Sequence, residues 1–298
     1  MPDSRVYRSA PPSLLPLYGK ALLPRQHKPG EQTRIPELQA DLLGIATNTR
    51  ALSTYQRICG FKPGSRAPIT WPHILAFPLH LKLLTEKAFP LPLLGLVHLR
   101  NTITQHRPVS TGENLDIRVV LGNQQRTDRG IEFDLISVPT MISRIIRRAA
   151  GKLIWEETST NLFRMARQGA SDASKNPPQL EHYPFSETIK APENIGRQYA
   201  KVSGDRNPIH MHALSARAFG FQRSIAHGMW SKAHALALLE QQKDWSHGPV
   251  KVSCQFKKPL LLPGTAQLNW RTGADGWDYQ ILNAKGDAPH LTGRIDWL

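Results

Sequence analysis

The chain has 298 residues, 40% of them hydrophobic and 20% charged, a balance that fits a globular protein of about two domains with a real core. Its apolar runs, such as Ala88 to Val97, are proline-broken and too short to cross a bilayer, and its two cysteines, Cys59 and Cys254, build neither a disulfide framework nor a cysteine-rich zinc site. The net charge of +15 favours phosphate-bearing partners, but the densest basic cluster, Arg144, Arg147 and Arg148, lacks the aromatic interleaving of a nucleic-acid surface, so neither a nucleic acid nor a membrane is expected as partner.

Arg5 and Arg8 open the chain without an uninterrupted apolar stretch, so no secretory signal is expected, and the free cysteines suit a reducing, cytoplasmic compartment. Trp71 to Thr85 is apolar and long enough for a buried helix. Gly151 to Met165 suggests a strand entered through a glycine turn. Arg167 to Pro184 is polar, contains Pro177-Pro178 and has no periodicity, which is the pattern of a linker. A second buried helix is expected over His227 to Gln241, Val250 to Phe256 alternates with the period of a half-buried strand, and Ala284 to Leu298 supplies a closing strand. Helix followed by strands, twice, predicts an α+β fold with antiparallel sheets.

The two sides of the linker resemble each other. Tyr55 to Phe61 (YQRICGF) aligns with Tyr199 to Asp205 (YAKVSGD), 144 residues away; Ile74 to Leu79 aligns with Ile225 to Trp230, and Ile103 to Pro108 with Cys254 to Pro259, both 151 residues away. Three matches in one order argue for a duplication, with seven extra residues in the second copy between Gly204 and Ile225. The expected boundaries are 1–166, a linker at 167–185, and 186–298.

Chemistry concentrates in the second copy. Asn207-Pro208 is a helix start, an asparagine cap followed by a proline at the first helical position, and the helix is expected to run to Gly220. Asp205 then lies on the preceding loop and His210 in the first turn, where a carboxylate and an imidazole can share one water as a general acid–base device. A further helix begins near Gly228, whose missing side chain admits a ligand to the free N–H groups of the helix N-terminus. Asn207 and His227 would wall the site, and Lys257 and Lys258, at a strand end, are candidates for phosphate contacts. A zinc site on His210 and His227 lacks an evident third ligand, and no metal or cofactor is expected.

The run YAKVSGDRNPIHMHALSA, Tyr199 to Ala216, fills the fixed positions of the hydratase-2 signature and resembles the MaoC-like dehydratases, the (R)-specific enoyl-CoA hydratases; Ile225 to Met229 (IAHGM) is similar to their second conserved stretch. The resemblance covers residues 185–298 with a specific motif and 45–165 as a degenerate partner. It implies a tandem, double hot-dog fold, each unit an antiparallel sheet wrapped around a central helix, so that one chain mimics a dimer and further homodimerisation stays open. It also implies a hydro-lyase acting on the 2,3 double bond of an acyl-CoA, with Asp205 and His210 activating water and Gly228 binding the thioester oxygen. In the first copy Phe61 stands at the position of Asp205 and the alignment places Phe77 at that of Gly228, so that copy would carry no active site and would line the acyl tunnel. The same residues would serve a 3-hydroxyacyl dehydratase working on an acyl carrier protein (ACP). A hot-dog thioesterase and a non-catalytic acyl-binding protein are the remaining alternatives.

Overall fold

The computed structural model describes residues 4–23, 29–30, 32–47, 50–141, 153–165, 180–245 and 247–298. The basic cluster at 144–148 and the linker residues 167–179 lie outside the described residues.

The first half runs β1 (Ser4–Arg8), α1 (Leu14–Ala21), β2 (Leu38–Ala46), α2 (Arg50–Cys59), α3 (Trp71–Leu84), β3 (Leu96–Gln105), β4 (Asn114–Thr127), β5 (Gly130–Met141) and β6 (Trp155–Arg164). The second runs β7 (Phe185–Ala191), α4 (Ile195–Ser203), α5 (Pro208–Met211), α6 (Ala213–Arg217), α7 (Gly228–Gln242), β8 (Val250–Phe256), β9 (Gly264–Thr272), β10 (Gly276–Asn283) and β11 (Pro289–Trp297). Among the described residues the strands join one sheet in the order β1-β2-β4-β5-β6-β3-β8-β11-β10-β9-β7. β1 lies parallel to β2 and every other pairing is antiparallel. Outward from the β3–β8 seam the two halves repeat one order, and Thr102 pairs with Ser253 at the middle of the seam.

Each half wraps its sheet around one long helix. α3 and α7 are apolar on nearly every face, as a helix enclosed by protein must be: Trp71, Leu79 and Leu83 in one, and Ala233, Leu236 and Leu239 in the other, are fully or almost fully buried. The core is a single contiguous cluster running from Leu42 and Phe133 in the first half to Leu268 and Ile281 in the second.

The expected strands at 250–256 and within 151–165 and 284–298 are present, as are both buried helices. Two readings need correction. The helix expected from Pro208 to Gly220 is broken at His212, whose backbone is extended (φ −147°, ψ 152°) and caps α6 by accepting the Ala216 N–H. The alignment of α3 with α7 is also shifted. The Ala67 N–H donates to the Val109 carbonyl as the Ala226 N–H donates to Leu260, so Ala67 and Ala226, 159 residues apart, are equivalent. Gly60 and Gly204, both in the left-handed conformation just beyond a helix, remain 144 apart. The second half therefore carries fifteen extra residues rather than seven, enough for α5 and α6. Ile69 stands at the place of Gly228, and Phe77 lies further along α3.

Because the core is continuous, Leu79→Ala and Leu236→Ala are each expected to lower the unfolding free energy by about 2–5 kcal/mol within one shared transition. Urea titrations followed by tryptophan fluorescence and circular dichroism would reveal any second transition that separates the halves.

Candidate active site

A cavity of about 890 Å³ lies where the two halves meet. Asp205, Asn207, His210, His227 and Gly228 all line it, and so do Lys257 and Lys258. All seven residues singled out in the sequence thus come to one cavity.

Local chemistry explains how. Gly204 ends α4 at φ 79°, turning the chain so that Asp205 begins a short loop. The Asp205 carboxylate accepts the Asn207 N–H (3.1 Å), and the Ser203 hydroxyl accepts the Asp205 N–H (3.1 Å). Asn207 then caps α5, its side chain accepting the Ile209 N–H at 3.4 Å. His210 follows on α5 and donates Nδ1–H to the Ile225 carbonyl (2.9 Å), which leaves Nε2 as the free nitrogen. Gly196 holds α4 hard against this turn: a Cβ there would stand 2.1 Å from the His210 carbonyl oxygen.

His227, the cap of α7, is 2% exposed; its ring stacks on His210 at 3.7 Å between centroids and its Nε2–H donates to the Asp205 carbonyl (3.0 Å). Burial, reinforced by His210, pushes His227 down to about 3. Burial also lowers His210, with Asp205 opposing it in part. Burial alone would raise Asp205, but His227, His210 and the Asn207 N–H together hold it below the ordinary aspartate value. At neutral pH the site therefore holds one carboxylate and two uncharged imidazoles.

Asp205, His210 and His227 bring donor atoms within 4.8 Å of one another, so the third ligand type that the sequence reading did not find is present. The geometry is that of a stack: the two rings are only 27° from parallel, and the His227 Nε2–H is committed to a carbonyl.

Gly228 opens α7 beside the cavity, with the Phe256 ring 2.9 Å from where a Cβ would be, so any side chain would have to displace that ring. Lys257 and Lys258 are exposed and form a cationic rim with Arg206. Phe61 of the first half is buried and stacks on Tyr55, with no carboxylate in its place.

Two contributors come from the first half: Tyr18, which was not evident from the sequence, and Phe77, which the sequence alignment had set opposite Gly228. Tyr18 of α1 donates its hydroxyl proton to the Gly204 carbonyl (2.6 Å) and accepts the Arg206 N–H (2.7 Å), bracing the loop that carries Asp205. Phe77 of α3 packs against Gly204 and lines the cavity. Both belong to the first half and reach the site only through the tertiary fold.

Residues 175–288 match the family described as MaoC like domain. The chain is 33% identical over 269 residues to 3-hydroxyacyl-thioester dehydratase X of Mycobacterium tuberculosis, covering 90% of this chain and 89% of that protein. It belongs to the MaoC-like dehydratase family. The crystal structure of HtdX from the same bacterium superposes with a TM-score of 0.72 at 30% identity, covering 88% of this chain and 100% of that one. A conserved hypothetical protein of Mycobacterium tuberculosis with a double hotdog fold matches at a TM-score of 0.51 and 12% identity over 90% of this chain and 97% of that one, a likeness of fold alone. The architecture of this MaoC-like chain is accordingly the double hot dog.

Tyr18→Phe removes two hydrogen bonds from the Asp205 loop of this MaoC-like chain without opening a cavity. Turnover by the site is expected to fall about threefold to tenfold with little change in melting temperature. Steady-state kinetics beside a thermal melt would check it.

Proposed function

We propose that this chain is a hydro-lyase that adds water to, or removes it from, the 2,3 double bond of an acyl thioester, and that Asp205 and His210 are its acid–base pair. The observation that carries the reading is the convergence of three features on one cavity: the Asp205 carboxylate, the free Nε2 of His210 and the N-terminus of α7 at Gly228.

In the hydration direction a water held between Asp205 and His210 gives up a proton to the pair as its oxygen bonds to C3. The C2=C3 electron pair shifts toward the thioester, whose oxygen gains charge and is met by the Gly228 N–H at the positive end of α7. The pair returns the proton to C2. Dehydration is the same path reversed. Asp205 and His210 titrate together, so the proton belongs to the pair rather than to either residue.

The first half, without a counterpart of Asp205, serves as a wall of the acyl site. The rim of Arg206, Lys257 and Lys258 suits the phosphates of CoA and equally the acidic face of an acyl carrier protein. CoA is the carrier we favour, with (R)-stereochemistry following from the signature. No helix among the described residues is long and apolar enough to cross a membrane, and the buried free thiols Cys59 and Cys254 support a reducing, cytoplasmic setting.

Hydration of crotonyl-CoA and of a C8 2-enoyl-CoA, followed by loss of the conjugated absorbance, tests the reading. Asp205→Asn and His210→Ala are each expected to cost about 10²- to 10⁴-fold in kcat with the fold retained. A variant that keeps half the wild-type rate would move the chemistry elsewhere. The pH profile supplies a separate check. The working state needs Asp205 ionised and His210 neutral, and both are depressed, so kcat/KM should stay level through pH 6.5 and decline only as the medium becomes more acidic. An acid limb centred at or above 6.5 would contradict that assignment.

A further inference from the structure

The cavity has a second polar end. Beneath the first half it is walled by leucines, among them Leu81, Leu84, Leu93 and Leu96, yet His73, His80, His98 and Ser159 face it as well. They are held by a buried network. His73 Nδ1 lies 2.7 Å from Glu157, Asn101 donates to both Glu157 and Ser159, and Lys232 of the second half donates to the Asn101 carbonyl (3.2 Å). His80 bonds the Ser137 hydroxyl at 2.7 Å. Burial alone would raise the Glu157 carboxyl, but His73, His80 and Asn101 hold it down to about 2, while burial pushes His80 to about 3 and His98 to about 4. The imidazoles of His80 and His98 are therefore uncharged at neutral pH.

A pure hydrocarbon chain gains nothing from these groups, and each polar atom it would cover without a hydrogen bond costs about 1–3 kcal/mol. Among the described residues three buried polar atoms of the cavity lining have no partner: His227 Nδ1 in the reactive loop's stack and, beyond it, His98 Nε2 and the Tyr199 hydroxyl. The register of β3 against β6 slips between His98 and Arg100, a bulge of the kind that redirects a side chain. The His98 ring then sits 4.8 Å from Phe256, which in turn lies against Gly228. An acyl chain whose thioester rested at Gly228 would share this cavity with His98 and Tyr199.

We propose that this end of the cavity is a subsite for a hydroxyl or keto group carried on the acyl chain, so that the substrates are oxygenated 2-enoyl and 3-hydroxyacyl thioesters rather than plain fatty acyl ones. The proposal rests on the acyl-thioester reading above. An uncharged oxygen fits because it can accept from or donate to His98 and accept from Tyr199. A chain ending in carboxylate fits less well, because Lys232 is already bonded to Asn101 and Val252 beside the buried Glu157, and the facing His80 and His98 rings are uncharged.

The test uses the whole chain and 2-enoyl-CoAs of one length, unsubstituted or carrying a hydroxyl, a keto group or a terminal carboxylate, with the oxygen moved along the chain from C5 outward. At least one hydroxyl or keto isomer is expected to exceed the unsubstituted chain about tenfold or more in kcat/KM, and the carboxylate to fall below it. In His98→Phe the ratio, whatever the absolute rates, should collapse toward one. Should that variant not fold, the isomer series on the wild type and on Ser159→Ala decides alone. No preferred isomer, or a ratio that His98→Phe leaves unchanged, overturns the subsite. Calorimetric binding of saturated acyl-CoAs with and without the oxygen repeats the comparison without turnover. An inactive wild type would then sink the hydro-lyase reading, while equal affinities would sink this one.

Discussion

The pairing of β3 with β8 is the constraint on which the rest of the molecule depends. Residue pairs from Arg100–Gln255 to Gln105–Val250 join what would otherwise be two exposed sheet edges. Register is fixed by more than backbone bonds. The fully buried Lys232 ammonium reaches across to Asn101 while also bonding the Val252 carbonyl. An ammonium buried without partners is too costly to keep, so the halves satisfy Lys232 in one docking arrangement and leave it stranded in others.

Once the halves are fixed in this way, the cavity becomes a shared property. The second half supplies the reactive loop and the open N-terminus of α7. The first half supplies what holds and covers them: the Tyr18 hydroxyl on Gly204 and Arg206, the Phe77 ring over Gly204, and the leucine wall beyond. The division of labour follows from the fifteen residues present in only one half. They build α5 and α6, hence His210, whereas the other half passes directly from Phe61 toward α3 and has Ile69 where Gly228 would be.

What was legible in the sequence was local. A cap followed by proline, a glycine after a helix and a histidine five positions beyond an aspartate leave short-range signals, and Asp205, Asn207, His210 and Gly228 could be found from them. Uniformly apolar stretches marked α3 and α7, and strict alternation marked β8. The misplaced alignment of α3 with α7 shows the limit: both helices are apolar on nearly every face and their few polar residues form no matching stripe, so a sliding comparison had little to fix its phase, and the hydrogen bonds of Ala67 and Ala226 did so. Tyr18 was invisible for a different reason. It lies 186 residues from its partner Gly204, and nothing in its neighbourhood of the chain records a contact made by tertiary packing. The His73–Glu157 pair, 84 residues apart, shares that character.

The stacked histidines explain why this reactive loop is buried so deeply. Two imidazolium rings 3.7 Å apart would repel strongly where water cannot screen them, so the His210–His227 stack takes up one proton at most. Asp205, beside both rings, is the counter-charge that makes the one proton tolerable. His227 donates Nε2–H to the Asp205 carbonyl and His210 donates Nδ1–H to Ile225, which leaves His210 Nε2 and the buried, unpartnered His227 Nδ1 able to accept, and the proposed mechanism uses the first of these. Burial thus does more than exclude bulk water. In the proposed mechanism it keeps both rings uncharged until water is deprotonated and holds the proton on the Asp205–His210 pair until it returns to carbon.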